Sequence, residues 1–310
     1  MPRRESINRL NLSNTPPVKP PTTDGFEGVF PNISLWLDKY LVGEELENGT
    51  TSYLADLKQV KTGSSIRVTE NGRAKRSPLD SPEYVAFFEN WMHTLTGINV
   101  KPKIIETQSR MAIGLGNANI TENGMTLHHT YGVPFIPGTA LKGFVRHFAH
   151  QYLGEDWRSD MGPASEVLFG TPESAGYVTF FDALPLPRVS NHSLGLKGNW
   201  SIQIEVMTPH HMDYYGGGDK PPADWDDPNP VHFLTCTGKF LVALYSPDAP
   251  EWAKSGYTIL EMALKENGVG GKTSSGFGQM QFDTELNERV FPQPINLLED
   301  TTLNFKVVSI

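Results

Sequence analysis

Apolar positions along this chain fall into short runs separated by proline- and glycine-rich breaks, and their spacing predicts a mixture of helices and strands. Residues 81–95 read as a helix, with Ser81 at the cap, Pro82 in the first turn, and Val85, Phe88 and Trp91 on one face. A second helix is expected over 137–153, with Pro137 near its start, and a third over 252–265, stopped by Asn267-Gly268. Segments 33–41 and 53–60 are shorter amphipathic helix candidates. Strands are expected at 111–115 (the first core strand), 177–181, 201–206, 240–245 and 277–282, of which 201–206 alternates cleanly as a half-buried strand does. Strands interspersed with a few helices predict an α+β fold with a mostly antiparallel sheet. Residues 1–30, with Pro16-Pro17 and Pro20-Pro21, read as a flexible or extended arm. Residues 31–100 read as a helical and basic elaboration, and 101–310 as the core, with an insertion at 210–230.

The 310 residues suffice for one large domain or two small ones. No apolar stretch of about 18 residues occurs, so no membrane association is expected, and the first residues lack the apolar run of a secretory signal. The single cysteine, Cys236, excludes an internal disulfide and fits a cytoplasmic location. It sits in an apolar run and reads as buried filler. The net charge of −9 argues against simple nucleic-acid binding, but its distribution weakens that argument. Residues 1–150 carry 16 basic and 14 acidic side chains, whereas residues 151–310 carry 10 and 21. Residues 58–76 collect Lys58, Lys61, Arg67, Arg73, Lys75 and Arg76 against Glu70 alone; this is either a solvated loop or a nucleic-acid contact.

The run Gly268-Val-Gly-Gly-Lys-Thr-Ser-Ser-Gly-Phe-Gly278 concentrates candidate chemistry. Gly268, Gly270, Gly271, Gly276 and Gly278 permit close backbone approach. Lys272, Thr273, Ser274 and Ser275 offer a cation and hydroxyls to phosphate oxygens. Gly271-Lys272-Thr273 matches the tail of a P-loop, but the glycine that motif needs five positions earlier is Glu266. The order here is helix, loop, strand, whereas a P-loop runs strand, loop, helix. A nucleotide site is therefore disfavoured, and the remaining readings are a nucleic-acid phosphate cradle or an ordinary glycine-rich turn.

A second motif spans 131–146. Gly138 and Thr139 lie at a helix entrance, where unpaired N–H groups attract anions. Lys142 and Arg146, four apart, share one helix face. The plain alternative is that Thr139 caps the helix and both cations are surface charges.

Taken together, the two motifs resemble those of the RAMP superfamily of CRISPR–Cas proteins. The resemblance narrows through the segment 110–116, Glu122, Leu127-His-His129, Leu168-Phe-Gly170, Asp182-Ala183, the segment 208–215, Pro221-Pro-Ala-Asp-Trp225 and Pro230-Val-His-Phe-Leu234. These are similar to the family of sixth subunits of the type III-B (Cmr) effector complex, over about residues 105–282. The resemblance implies a ferredoxin-like (RRM-like) core and a non-catalytic backbone subunit that holds CRISPR RNA by its sugar-phosphate backbone. Base pairing with a complementary target RNA would then supply specificity, a division of labour known for another RNA-guided effector. It implies other Cmr-type RAMP backbone subunits and the small helical subunit as partners, and no cofactor. By carry-over, Gly138, Thr139, Lys142, Arg146 and the loop 268–278 beside them touch guide phosphates, with Arg110 at the end of the first core strand as a weaker candidate. The insertion 210–230 carries His210, Tyr214, Tyr215 and Trp225, a candidate thumb that stacks on nucleotides or contacts a neighbouring subunit. Its Asp213, Asp219, Asp224, Asp226 and Asp227 would repel phosphates and favour the subunit contact.

Nine histidines raise a nuclease alternative, with His128, His129 or His210 as general base or a loop carboxylate in the catalytic role. No Cys–His spacing offers a zinc ligand set, so no metal is expected. His147 and His150 are three apart on a helix, and His210-His211 precede Asp213, without completing one.

Overall fold

In the computed structural model the residues described are 34, 44–45, 51–52, 69–70, 73–74, 81–117, 123–159, 162–188, 196–208, 217, 223 and 230–291. The arm 1–30, the candidate helices 33–41 (apart from helical Ser34) and 53–60, most of the basic stretch 58–76 and nearly all of the insertion 210–230 lie outside them. Two short antiparallel pairs, Glu44–Glu45 with Thr51–Ser52 and Thr69–Glu70 with Arg73–Ala74, precede the main body.

The main body begins with helix α1, Pro82–Gly97. Ser81 caps it as expected, its hydroxyl accepting from the Tyr84 amide at 3.1 Å. The buried stripe is Tyr84, Phe88, Met92 and Leu95; of the expected face Phe88 is fully buried, Val85 and Trp91 are half-buried, and Trp91 packs edge-on to Phe181, 5.0 Å away. The Tyr84 hydroxyl donates to the Pro185 carbonyl at 2.5 Å, so α1 is keyed into the same core as the sheet.

Strand β1, Lys103–Thr107, follows. The expected first core strand, 111–115, is not a strand: Met111 and Ala112 make single bridges, to Cys236 and Gly271. The true central strand was hidden because only Ile104 and Ile105 are apolar, one for each face of the sheet, and both are completely buried. Its polar Glu106 lies 3.6 Å from Lys239, which also reaches Asp283 at 2.5 Å. Burial pulls the Lys239 ammonium down, but these two carboxylates outweigh it and hold its pKa above the ordinary lysine value.

Helix α2 spans Gly138–Tyr152 and α3 spans Pro163–Phe169. Strands β2 (Thr179–Phe180), β3 (Leu184–Pro185), β4 (Ser201–Met207), β5 (Val231–Thr237), β6 (Lys239–Val242) and β7 (Leu244–Tyr245) come next. Helix α4 (Pro250–Glu266), β8 (Met280–Phe282) and α5 (Thr284–Val290) close the described chain. The expected strand 240–245 thus divides. Its first part, β6, pairs with β1 and β3, and its second, β7, pairs with β2.

The largest sheet has the order β8–β1–β6–β3, antiparallel throughout. With the two long helices, the chain passes through it as β1, α2, β3, β6, α4, β8. Helices α2 and α4 pack on each other and bury Leu141, Val145, Phe148, Ile259, Leu260 and Ala263 in one core. Strands β4 and β5 form a separate seven-residue antiparallel ribbon, Ser201 opposite Thr237 and Met207 opposite Val231. The 210–230 insertion springs from the Met207–Val231 end of this ribbon. Cys236 on β5 is wholly buried, and burial pushes its thiol up to about 12, as suits a packing residue.

Candidate nucleic-acid interface

The glycine loop is a closed clasp with an exposed tip. The Val269 amide donates to the Gly278 carbonyl at 2.8 Å, and the Gly278 amide donates to the Arg110 carbonyl at 2.8 Å. The Gly271 amide donates to the Ala112 carbonyl at 2.7 Å. A Cβ at Gly268, Gly270 or Gly278 would run into the carbonyl oxygen of Phe277, Ala112 or Val269 respectively. These three glycines are therefore required by intrachain backbone packing. Gly276, with φ +85° and open space around it, is the exception.

The tip is a single 3-10 turn, Thr273–Ser275, whose three hydroxyl side chains are all exposed. Lys272 enters the turn in the left-handed region, φ 62°. Its side chain is exposed, and its ammonium meets Met207 Sδ, a weak acceptor, at 3.0 Å. A cation and three exposed hydroxyl residues thus stand together where an anion can meet them.

Arg110 stands beside this tip. It lies three residues past the end of β1, not at the end of a core strand as expected, and its guanidinium pairs with Glu205 on β4. Glu205 and Met207 are two apart on one strand and project to the same side. The ribbon therefore holds Arg110 and Lys272 on one face, at the root of the 210–230 insertion. His210, Tyr214, Tyr215 and Trp225 themselves lie outside the described residues.

The second motif has a different setting. Gly138 is buried, and its amide donates to Asp182 Oδ1 at 2.7 Å. The entrance of α2 is thus already met by a carboxylate, and a Cβ at Gly138 would strike the Phe180 carbonyl. Pro137 is the cap residue and makes no side-chain cap; Thr139 is exposed and does not cap. Lys142 and Arg146 are both half-buried. Arg146 donates to the Ser159 carbonyl at 2.7 Å, and one turn on, His150 Nδ1 accepts from the Ser159 amide at 3.1 Å. Arg146 and His150 thereby hold the turn at 155–159 against the helix.

The loop and α2 are not neighbours. No hydrogen bond joins them among the described residues; a ladder of short extended segments lies between. Ala112 receives the loop, the Thr126 amide donates to Ile113 at 2.9 Å, the Phe135 amide donates to Thr126 at 3.5 Å, and Ile136 exchanges bonds with Ala183 just before α2.

His128 sits on this ladder with its ring against Phe87, Tyr131 and Phe135, centroids 5.7, 4.8 and 6.0 Å away. Burial lowers its pKa and Asp182 partly offsets this. Its Nδ1 is buried with no partner, while the residue as a whole is half-buried. Among the described residues no three His, Cys, Asp or Glu side chains gather as a metal would need. No described helix is long and apolar enough to cross a membrane.

Comparison with known proteins adds a family. The chain is 28% identical over 338 aligned positions to the CRISPR system Cmr subunit Cmr6 of Pyrococcus furiosus, covering 89% of this chain and 96% of that protein. It is 24% identical to the Cmr6 subunit of Saccharolobus solfataricus, covering 64% of each. Among solved structures, a chain of the type III-B Cmr-beta complex bound to cognate target RNA matches at 25% identity, covering 67% of this chain and 68% of that one, with a TM-score of 0.49. The crystal structure of Cmr6 from Pyrococcus furiosus matches at 27% identity, covering 59% and 97%, with a TM-score of 0.38. Residues 104–281 match the model of the RAMP superfamily. That span takes in most of β1, helices α2 and α4, the ribbon and the glycine loop, and it is more than half of the chain, which therefore belongs to the RAMP superfamily.

Proposed function

We propose that this chain is a Cmr6-like backbone subunit of a type III-B CRISPR effector complex, working in the cytoplasm. In this reading it holds guide RNA by its sugar-phosphate backbone and performs no cleavage itself. The observation that carries the RNA part is the exposed loop tip, which brings Lys272 together with the hydroxyl residues Thr273, Ser274 and Ser275. Such a tip binds phosphate without reading bases, which suits a protein whose guide supplies the specificity. The Cmr6 similarity over 89% of the chain supports membership of the complex.

The strand order β8–β1–β6–β3, visited as strand, helix, strand, strand, helix, strand, supports a ferredoxin-like core. Thr139, Lys142 and Arg146 would form a second phosphate contact, with Gly138 acting through the packing of the helix entrance. The insertion 210–230 would reach a neighbouring backbone subunit or the small helical subunit, or wedge against guide and target RNA.

The test is binding of guide-like single-stranded RNA, followed by fluorescence anisotropy at several salt concentrations, with wild type and Lys272→Ala. Affinity that falls alike for unrelated sequences, with a shallower salt dependence in the variant, is the expected result. Equal binding by both proteins at all salt concentrations would remove the loop from the interface. Site-specific RNA cleavage by the purified chain, abolished by one substitution, would replace the non-catalytic reading with an endoribonuclease.

A further inference from the structure

An open groove of about 1100 Å3 runs along the end of the main sheet remote from the glycine loop. It lies between the chain leaving α1, the outer side of α4, and α5. At the glycine-loop end of the sheet, Met280 pairs with Thr107; at the groove end stand Phe282, Lys103 and Leu244. Its apolar wall includes Ile98, Leu244, Tyr257, Phe282 and Phe291. Ile98 is among the few large apolar side chains that the described fold leaves exposed. The groove exceeds the roughly 300–1,000 Å3 typical of a small-molecule site and has polar and charged residues along an apolar wall, so an extended peptide fits it better.

Phe291 is both a wall residue of the groove and the last described residue. Nineteen residues, 292–310, follow it. Their sequence is unusual for a solvated tail. Leu303, Phe305 and Val307 alternate with polar residues, and Val308 and Ile310 follow. That spacing puts three apolar side chains on one side of an extended segment. Glu299 and Asp300 precede it, and the groove carries Lys101, Lys103 and Lys254 against Glu261 and Glu288. The chain thus leaves the wall of an apolar, slightly basic groove and carries an apolar segment with an acidic pair ahead of it. At about 3.3 Å per residue, the twelve residues from 291 to 303 can span roughly 40 Å, so reach does not prevent a return.

We propose that the C-terminal segment 292–310 folds back across this groove and seats Leu303, Phe305 and Val307 on its apolar wall. This proposal is independent of the RNA reading, because the groove and the glycine loop lie at opposite ends of the sheet.

The test uses the full chain with the tail intact, comparing wild type, Phe305→Asp and Phe305→Leu by hydrogen exchange of residues 98–103 and 244–258. In Phe305→Asp these amides should exchange roughly tenfold faster, while those of the β4–β5 ribbon stay unchanged and Phe305→Leu stays near wild type. A hydrophobic dye should bind Phe305→Asp and not wild type. Equal exchange and equal dye binding in all three proteins would overturn the proposal. So would protection that depends on protein concentration, which identifies a second copy as the occupant. Protection lost on substituting apolar residues of 1–80, with the tail untouched, would assign the groove to the N-terminal segment instead. Because RNA binding is not the readout, failure here leaves the RNA proposal standing.

Discussion

The carboxylate of Asp182 accepts a hydrogen bond from the amide of Gly138 at 2.7 Å, joining the segment ahead of β3 to the entrance of α2 across 44 positions of sequence. Pro137 at the cap has no side-chain acceptor, so the charge that would normally sit within the helix entrance is supplied from a distant segment. Asp182→Ala should destabilise the fold by about 1–2 kcal/mol, the usual effect of losing a helix N-cap. Urea denaturation monitored by circular dichroism measures it, and an unchanged midpoint would mean that water replaces the carboxylate without loss.

Asp182 also faces His128, whose pKa burial lowers and Asp182 partly restores. With the folded value below the unfolded one, the unfolded chain binds the extra proton. Stability from this site is therefore complete above about pH 6.5, and it is lost as pH falls from there through the folded pKa. His128→Phe keeps the aromatic packing and should flatten the stability profile over that range. Asp182→Asn should move the His128 titration, followed by NMR, further down.

The cations of the two motifs should separate in their effects. Lys272 is exposed and, among the described residues, meets a thioether, so Lys272→Ala should leave stability unchanged and reduce the slope of log K against log salt by about 0.7 on single-stranded RNA. Arg146 is half-buried and holds the Ser159 carbonyl, so Arg146→Ala should lower stability by about 1–2 kcal/mol, whatever its effect on RNA. Thermal melts alongside binding curves distinguish the two.

The glycines of the loop should separate likewise. Gly278→Ala forces a Cβ into the Val269 carbonyl at φ +77°, and should open the clasp and abolish RNA binding. Gly276→Ala meets open space and bears only the left-handed strain, about 1–2 kcal/mol. It should retain most of the affinity. Equal loss in both variants would return the glycines to the role of ligand approach.

Cys236, buried with its thiol pushed up to about 12, should resist alkylation at pH 8 in the folded protein and react at once in denaturant. Rapid labelling of the native chain would show that the β5 ribbon opens.

What the sequence determined by itself is local. Ser81 and Pro82 opened α1 where their chemistry requires, the apolar spacing of 252–265 located α4, and Asn267-Gly268 ended it, because caps and helical periodicity depend on residues a few positions apart. The glycine loop and the 131–146 run were likewise legible as family motifs, since each is contiguous. Tertiary structure alone decided the rest. It made Lys103–Thr107 the central strand, because two isoleucines carry no periodicity until helices and sheet neighbours cover both their faces. Contacts with Phe277, Ala112 and Val269 turned Gly268, Gly270 and Gly278 into intrachain packing positions. Arg110 met Glu205 across 95 positions, and the α2 entrance met Asp182 across 44. Those pairings depend on how distant segments pack, and no local pattern encodes them.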